Sequence, residues 1–228
     1  MTKISRRSLE RMVEEQLGKW NLAGRERKPA RSKPRPVITI SREPGCGASE
    51  VAKRLAEGLG MDLMGGQIIE KVAESAQMSR KIVSSLDERE ISKRDDWLSS
   101  LFETRHLWPD DYLFHLTKVI GTVGRHGNAV IVGRGAHLIL PSGETFRVRF
   151  FAPLSCRIRH MMEAHGLPQP DAEKYLVRKD AERRAFIWRY FHADLTDPRH
   201  YDLLINMSKI SVDGALEAVK AAFGSWKR

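Results

Sequence analysis

The hydrophobic pattern takes on a regular alternation at residue 37. Val37-Ile38-Thr39-Ile40 is a β-branched run that breaks at Pro44-Gly45, and Val51, Ala52, Leu55, Ala56 and Leu59 then recur at helical spacing until Gly60. This predicts a strand feeding directly into a helix. Helical spacing returns at Ile68, Ile69, Val72, Ala73 and Ala76, briefly at Ile82, Val83 and Leu86, and again at Trp97, Leu98, Leu101 and Phe102 before Pro109. Tyr112, Leu113, Leu116, Val119, Ile120 and Val123 predict a longer helix stopped near Gly124 to Gly127. Ala129-Val130-Ile131-Val132 is wholly apolar, as expected of a strand buried on both faces of a parallel sheet. Phe146 to Phe151 alternates, which predicts a strand with one face less buried. Helices are expected at about 154–164 and 171–191, a last strand at 202–206, and a final helix capped by Ser211 that carries Val212, Ala215, Leu216, Val219 and Phe223.

Strands separated by helices, with an all-helical insertion after the first, indicate an α/β fold with a parallel sheet. Ligands in such sheets bind outside the carboxyl ends of the strands. The glycine turns at Gly45 and Gly133 fall at two such ends and are expected to line one site. Ahead of the sheet, Leu9, Met12, Val13, Leu17 and Trp20 outline an amphipathic helix over residues 5–20. Its polar face mixes Arg7 and Arg11 with Glu14 and Glu15, which favours docking on the domain or on a second subunit over a membrane surface. Residues 24–36 hold three prolines and no apolar period, so they read as an extended linker. The chain thus divides into a basic tail, 1–35, and a domain, 36–228.

Composition narrows the class. With 41% hydrophobic and 30% charged residues over 228 positions, the chain suits a globular fold, and no apolar run is long enough to cross a membrane. The basic start lacks the apolar centre of a signal peptide, and two cysteines without metal-ligand spacing suit a reducing cytoplasm. The net charge of +10 is concentrated in the tail: residues 1–36 hold 11 Lys or Arg against 4 Asp or Glu, and the remainder holds 28 against 25. The near-balanced domain gives no reason to expect a nucleic-acid-binding face.

The turn at 42–49 bears comparison with G-x-x-x-x-G-K-[ST], in which backbone N–H groups wrap phosphates, lysine reaches the outer ones and a hydroxyl holds Mg²⁺. Aligned on Gly47, the chain has Arg42 for the first glycine and Ala48 for lysine, while Ser49 keeps the hydroxyl. The turn by itself reads either as a phosphate cradle or as a structural strand-to-helix turn. Arg42 is the candidate for the missing cation, because its planar fork suits phosphate oxygens; pairing with Glu43 is the alternative. Cys46 reads as packing. Downstream, Arg178, Lys179, Arg183 and Arg184 place four cations within seven residues, which suits charge developing in phosphoryl transfer. The same stretch offers ordinary helix pairs, Arg178 with Glu182 and Asp180 with Arg184. Arg157 and Arg159 read as surface charge, with adenine contact as the alternative, and none of the eight histidines belongs to a metal-ligand pattern.

Four segments then acquire a common meaning: Ile38 to Gly47, Val130-Ile131-Val132-Gly133-Arg134-Gly135-Ala136, Asp180-Ala181-Glu182-Arg183-Arg184-Ala185-Phe186, and Tyr201 to Asn206. In order and spacing they resemble the cytidylate kinase-like family, which characteristically lacks the loop lysine. The resemblance implies a P-loop NTPase-type parallel sheet flanked by helices, with a helical acceptor-binding insertion and a C-terminal lid. It implies that Gly45, Cys46, Gly47, Ala48 and Ser49 cradle the donor phosphates, with Ser49 toward Mg²⁺. Arg134 would contact the acceptor nucleotide, Gly135 replacing the aspartate of a Gly-Arg-Asp segment, and Asp180, Arg183 and Arg184 would belong to the lid. The expected function is ATP- and Mg²⁺-dependent phosphorylation of a nucleoside monophosphate, CMP or dCMP first, with Arg42, Arg134, Arg183 and Arg184 stabilising charge. A nucleotide-binding sensor without turnover is the competing expectation. Expected partners are nucleotides, with neither membrane nor nucleic acid, and a second copy through the N-terminal helix. Asp87 to Glu90 and Arg105, in the insertion, are candidates for acceptor contact or plain helix surface.

Overall fold

The protein is seen here as a computed structural model that describes residues 11, 14–16, 18, 36–83 and 111–227. The linker, the helix expected around Trp97, Asp87 to Glu90, Arg105 and most of the N-terminal helix lie outside the described residues.

The strand at Val37–Arg42 (β1) runs through a turn into Ala48–Leu59 (α1). Then come Asp62–Gly65 (β2), Gly66–Glu74 (α2), Ala76–Val83 (α3), Asp111–His126 (α4) and Ala129–Val132 (β3). The chain continues through Ala136–Ile139 (α5), Thr145–Phe151 (β4), Leu154–His165 (α6), Gln169–Phe191 (α7), Leu203–Asn206 (β5) and Val212–Ser225 (α8). The sheet order is β2-β3-β1-β4-β5. β1 lies parallel to β3, with Ile40 opposite Val132, and parallel to β4, with Arg42 opposite Phe150; β4 lies parallel to β5. Parallel neighbours cannot be joined by a hairpin, so each link is a helical crossover. The register brings the ends of β1 and β3 side by side, and the Gly133 N–H donates to the Ile40 carbonyl at 2.9 Å. The two glycine turns therefore emerge next to each other, as the sequence suggests.

Local rules account for most ends. Gly60 closes α1 in the left-handed region (φ 61°), and the Ser211 hydroxyl caps α8 by accepting from the Gly214 N–H at 3.1 Å. Ile38 and Ile40 of β1, Val148 and Phe150 of β4, Val51 and Leu55 of α1 and Val219 of α8 share one core cluster. Complete burial of such a side chain is worth roughly 1.5–3 kcal/mol.

Two expectations change. β2 is a strand the sequence pattern missed: Asp-Leu-Met-Gly has no apolar run, and on this edge strand only Met64 is buried. The charged positions of β4 are also more enclosed than alternation implies. Arg149 is 4% exposed and Arg147 is half-buried in a two-pronged pair with Asp202, because each finds polar partners inside the fold.

The described residues form two compact units, one of Pro36–Met64 with Asn128–Arg228, the other containing Gly65–Gly127. In the second, α2 and α3 each pack on α4, burying Ile69, Val72, Met78 and Ile82 along with Leu113, Leu116 and Ile120. The His115 ring meets the Ser79 hydroxyl there at 3.1 Å.

Candidate active site

The candidate site lies within the unit that carries β1, β3, β4 and α5 to α8. Between β1 and α1, Gly45 (φ 78°) and Gly47 (φ 80°) occupy the left-handed region that glycine enters without steric cost. A Cβ on Gly45 would also lie 3.1 Å from both the Arg157 carbonyl and Leu176 Cδ2. No side chain caps the start of α1. Its leading N–H groups and the positive end of its dipole thus favour an anion above the end of β1. Ala48, at the lysine position, is 1% exposed and belongs to the core cluster. Burial pushes the Cys46 thiol up, so it stays protonated packing material, in keeping with its reading from the sequence.

Two guanidinium groups flank this turn. Arg42, half-buried, donates from Nε to the Ser49 hydroxyl at 3.2 Å. Arg183, reaching down from α7, donates from Nη1 to the Arg42 carbonyl. Burial lowers the Arg42 pKa, and burial together with the neighbouring Arg42 charge brings Arg183 down to about 10, so both stay cationic at neutral pH. Neither is in an ion pair among the described residues, and the expected alternative of Arg42 paired with Glu43 is not seen. Arg184, one position further round the helix, is exposed, and its expected pairing with Asp180 is not seen either. Arg178 and Glu182 do approach to 3.6 Å.

The neighbouring turn, Gly133-Arg134-Gly135, holds Arg134 in a left-handed conformation (φ 54°) with its guanidinium 5.6 Å from the centre of the Phe186 ring. A Cβ on Gly135 would come within 2.5 Å of the Phe191 ring, so the end of α7 closes directly over this turn.

The remaining site residues were not evident from the sequence. Glu43 turns back, accepting from the Ala152 N–H at 3.0 Å and approaching Arg157 at 3.4 Å and Arg149 at 3.5 Å. Arg157, expected as surface charge, is 6% exposed and bonds to the Ala152 and Pro44 carbonyls and to Asp180. It is buried because two carboxylates and two carbonyls satisfy it. His160, one turn further along α6, donates from Nδ1 to the Gly45 carbonyl at 2.7 Å. The spacing of Arg157 and His160 puts them on one side of a helix. Nothing in the sequence says that this side meets the turn.

For a metal, Ser49 offers an exposed hydroxyl whose second lone pair remains after the bond from Arg42. That suits one position of a Mg²⁺ shell whose other oxygens come from phosphate and water. Among the described residues no group of three or more His, Cys, Asp or Glu side chains forms a metal site by itself.

Comparison with known proteins gives these turns a common context. The model of the cytidylate kinase-like family matches residues 37–209. The cytidylate kinase of Methanocaldococcus jannaschii is 26% identical over 196 residues, spanning 84% of this chain and 99% of that protein. That of Aeropyrum pernix is 27% identical over 175 residues, spanning 76% and 91%. Among solved structures, an uncharacterized protein from Eubacterium ventriosum superposes with a TM-score of 0.65 at 21% identity, covering 84% of this chain and 99% of that one, a likeness of fold. The matched segment takes in both glycine turns, α7 as far as Phe191 and all five strands, and the chain belongs to the cytidylate kinase-like family.

Proposed function

We propose that the protein is a nucleotide kinase that transfers the γ-phosphoryl group of ATP to a nucleoside monophosphate, with CMP or dCMP as first candidates. The observation that carries this reading is the pair of desolvated guanidinium groups of Arg42 and Arg183 beside the Gly45 to Ser49 turn, with no carboxylate in an ion pair with either among the described residues. Two like charges half-removed from water oppose each other, and an anion between them and the start of α1 would offset that cost. The family's named relatives, cytidylate kinases, supply the direction of the chemistry.

In this reading the backbone of Gly45 to Ser49 holds the donor phosphates, and Arg42 supplies the charge that lysine would. An oxygen of the acceptor phosphate forms a bond to the γ-phosphorus while the bond to the β–γ bridging oxygen breaks, and ADP leaves with that electron pair. Little covalent chemistry falls to the protein; positioned positive charge and exclusion of water do the work. Arg183 and Arg184 lie on α7, which this reading makes the lid, and Arg134 is assigned to the acceptor phosphate. Mg²⁺, with Ser49 as its protein ligand, would supply neutralising charge to the donor phosphates.

The test is product analysis with ATP, Mg²⁺ and a panel of nucleoside monophosphates. A nucleoside diphosphate product is expected, and Arg183→Ala should reduce turnover by 10²-fold or more, in order of magnitude, with much less effect on ATP affinity. Equal loss in both removes the lid assignment. The packed Ala48 side chain favours a second reading, a nucleotide sensor without turnover. Binding of a non-hydrolysable ATP analogue with no product from any acceptor would select it.

A further inference from the structure

Asp180 stands in the segment expected to touch substrate, yet its carboxylate points elsewhere. Oδ2 accepts from Arg157 Nη1 at 2.9 Å, and Arg157 is among the most deeply buried charged side chains described. From one guanidinium, Nε donates to the Ala152 carbonyl at 3.0 Å, and Nη1 donates both to the Pro44 carbonyl at 3.3 Å and to Asp180. The end of β4, the turn after β1 and the lid helix α7 are thus fastened to a single side chain of α6. Three residues beyond Asp180, on the same side of α7, Arg183 reaches the Arg42 carbonyl. The lid helix is pinned to the phosphate turn at two successive points, one through Asp180 and Arg157 and one through Arg183 itself.

We infer that Arg157 and Asp180 are a positioning pair that fixes Arg183 over the turn between β1 and α1; the inference rests on the reading of that turn as a phosphate site. Were Asp180 to leave Arg157 for a substrate, it would strip a buried cation of its closest carboxylate, which low-dielectric surroundings penalise heavily. Asp180 therefore acts through Arg183 and does not touch the acceptor. Without it, the α7 segment that carries Arg183 keeps only the Arg183 bond as a polar tie to the turn, the apolar contact of Leu176 with Gly45 lying about two helical turns back. A displacement of about 1 Å in a charge-stabilising group costs on the order of 10²-fold in rate.

The test is a double-variant cycle on the full chain, with ATP and the best acceptor from the product panel. Asp180→Ala should lower kcat about 10²-fold while both KM values move less than about threefold. Asp180→Asn, which can still accept from Arg157, should recover most of that loss and keeps the comparison valid if the alanine variant melts early. On an Arg183→Ala background, Asp180→Ala should cost nothing further, because the group it positions is gone. Losses that multiply in the double variant overturn the pairing, and so does a rise confined to the acceptor KM, which would place Asp180 on the substrate. Affinity for inorganic tripolyphosphate is measured for the same four proteins. A wild-type chain that binds it but makes no product fails the kinase reading alone, and the coupling is then judged on affinity by the same rule. A wild-type chain that does neither overturns both.

Discussion

His137 lies 5% exposed beneath Tyr201, the rings stacked with centres 5.0 Å apart, and its Nε2 is 3.2 Å from the Tyr201 hydroxyl. That hydroxyl makes its shortest contact with the Leu195 carbonyl, at 2.8 Å, which takes its one proton and leaves His137 as donor. Burial first, then the charges of His200, Arg149 and Arg147, push the imidazole pKa down to about 3. An unfolded histidine takes up its proton near pH 6.5, so between pH 6.5 and 3 the unfolded chain binds more protons than the folded one. This contribution to stability is complete above pH 6.5 and is lost as the pH falls through that window, at up to about 1.4 kcal/mol per unit. Urea unfolding at pH 6.5 and pH 5 should show His137→Gln losing about 1.6 kcal/mol less than the unaltered protein over that interval. Equal losses would mean that His137 is charged in the fold. Residues of this kind mark the limit of reading a sequence. The absence of lysine at Ala48 is plain in the letters, and so is Arg42 as its candidate substitute. The burial of Arg149, Arg157 and His137 is not, because each is enclosed by partners distant along the chain.

At the scale of elements, local signals were sufficient where an end is set by its own residues. Gly60 and Ser211 stop and start helices by chemistry that needs no tertiary context. Ser211→Ala should lower stability by about 1 kcal/mol, read from the urea midpoint, and leave product formation unchanged, since α8 carries no residue of the candidate site. The elements that were missed or misjudged depend on what they pack against. β2 exists as a strand because β3 offers it an edge, and its four residues announce nothing. The α6 helix was expected from the sequence at about 154–164, yet which of its sides faces the turn was not. That side holds Arg157 and His160, two of the residues that shape the turn. The two glycine turns and the basic stretch of α7 were legible as motifs because their residue types are needed locally, for left-handed backbone or for positive charge.

For the whole molecule, the modest charge excess of the domain matters less than where it is gathered. Arg42 and Arg183 meet at one turn while most other charges among the described residues are paired or solvated. A ligand that satisfies them should stabilise the protein as a unit. At a concentration about 100 times its Kd, a non-hydrolysable ATP analogue should add about 2.7 kcal/mol, a rise of roughly 5–11 °C in Tm. Thermal melting should show that rise largely abolished in the Arg42→Ala, Arg183→Ala double variant, and an undiminished rise would place the nucleotide elsewhere. The fastening of the turn between β1 and α1 carries one more consequence, for the order in which the protein assembles. Pro44 is held by Arg157, Gly45 sits against Leu176 and Met161, and its carbonyl is taken by His160. These partners come from helices made more than a hundred residues later in synthesis, about 5–20 s at ordinary ribosome speeds. A nascent chain that ends before α6 would therefore carry the motif without the cradle, and under the proposed function nucleotide recognition would be among the last properties the folding protein acquires.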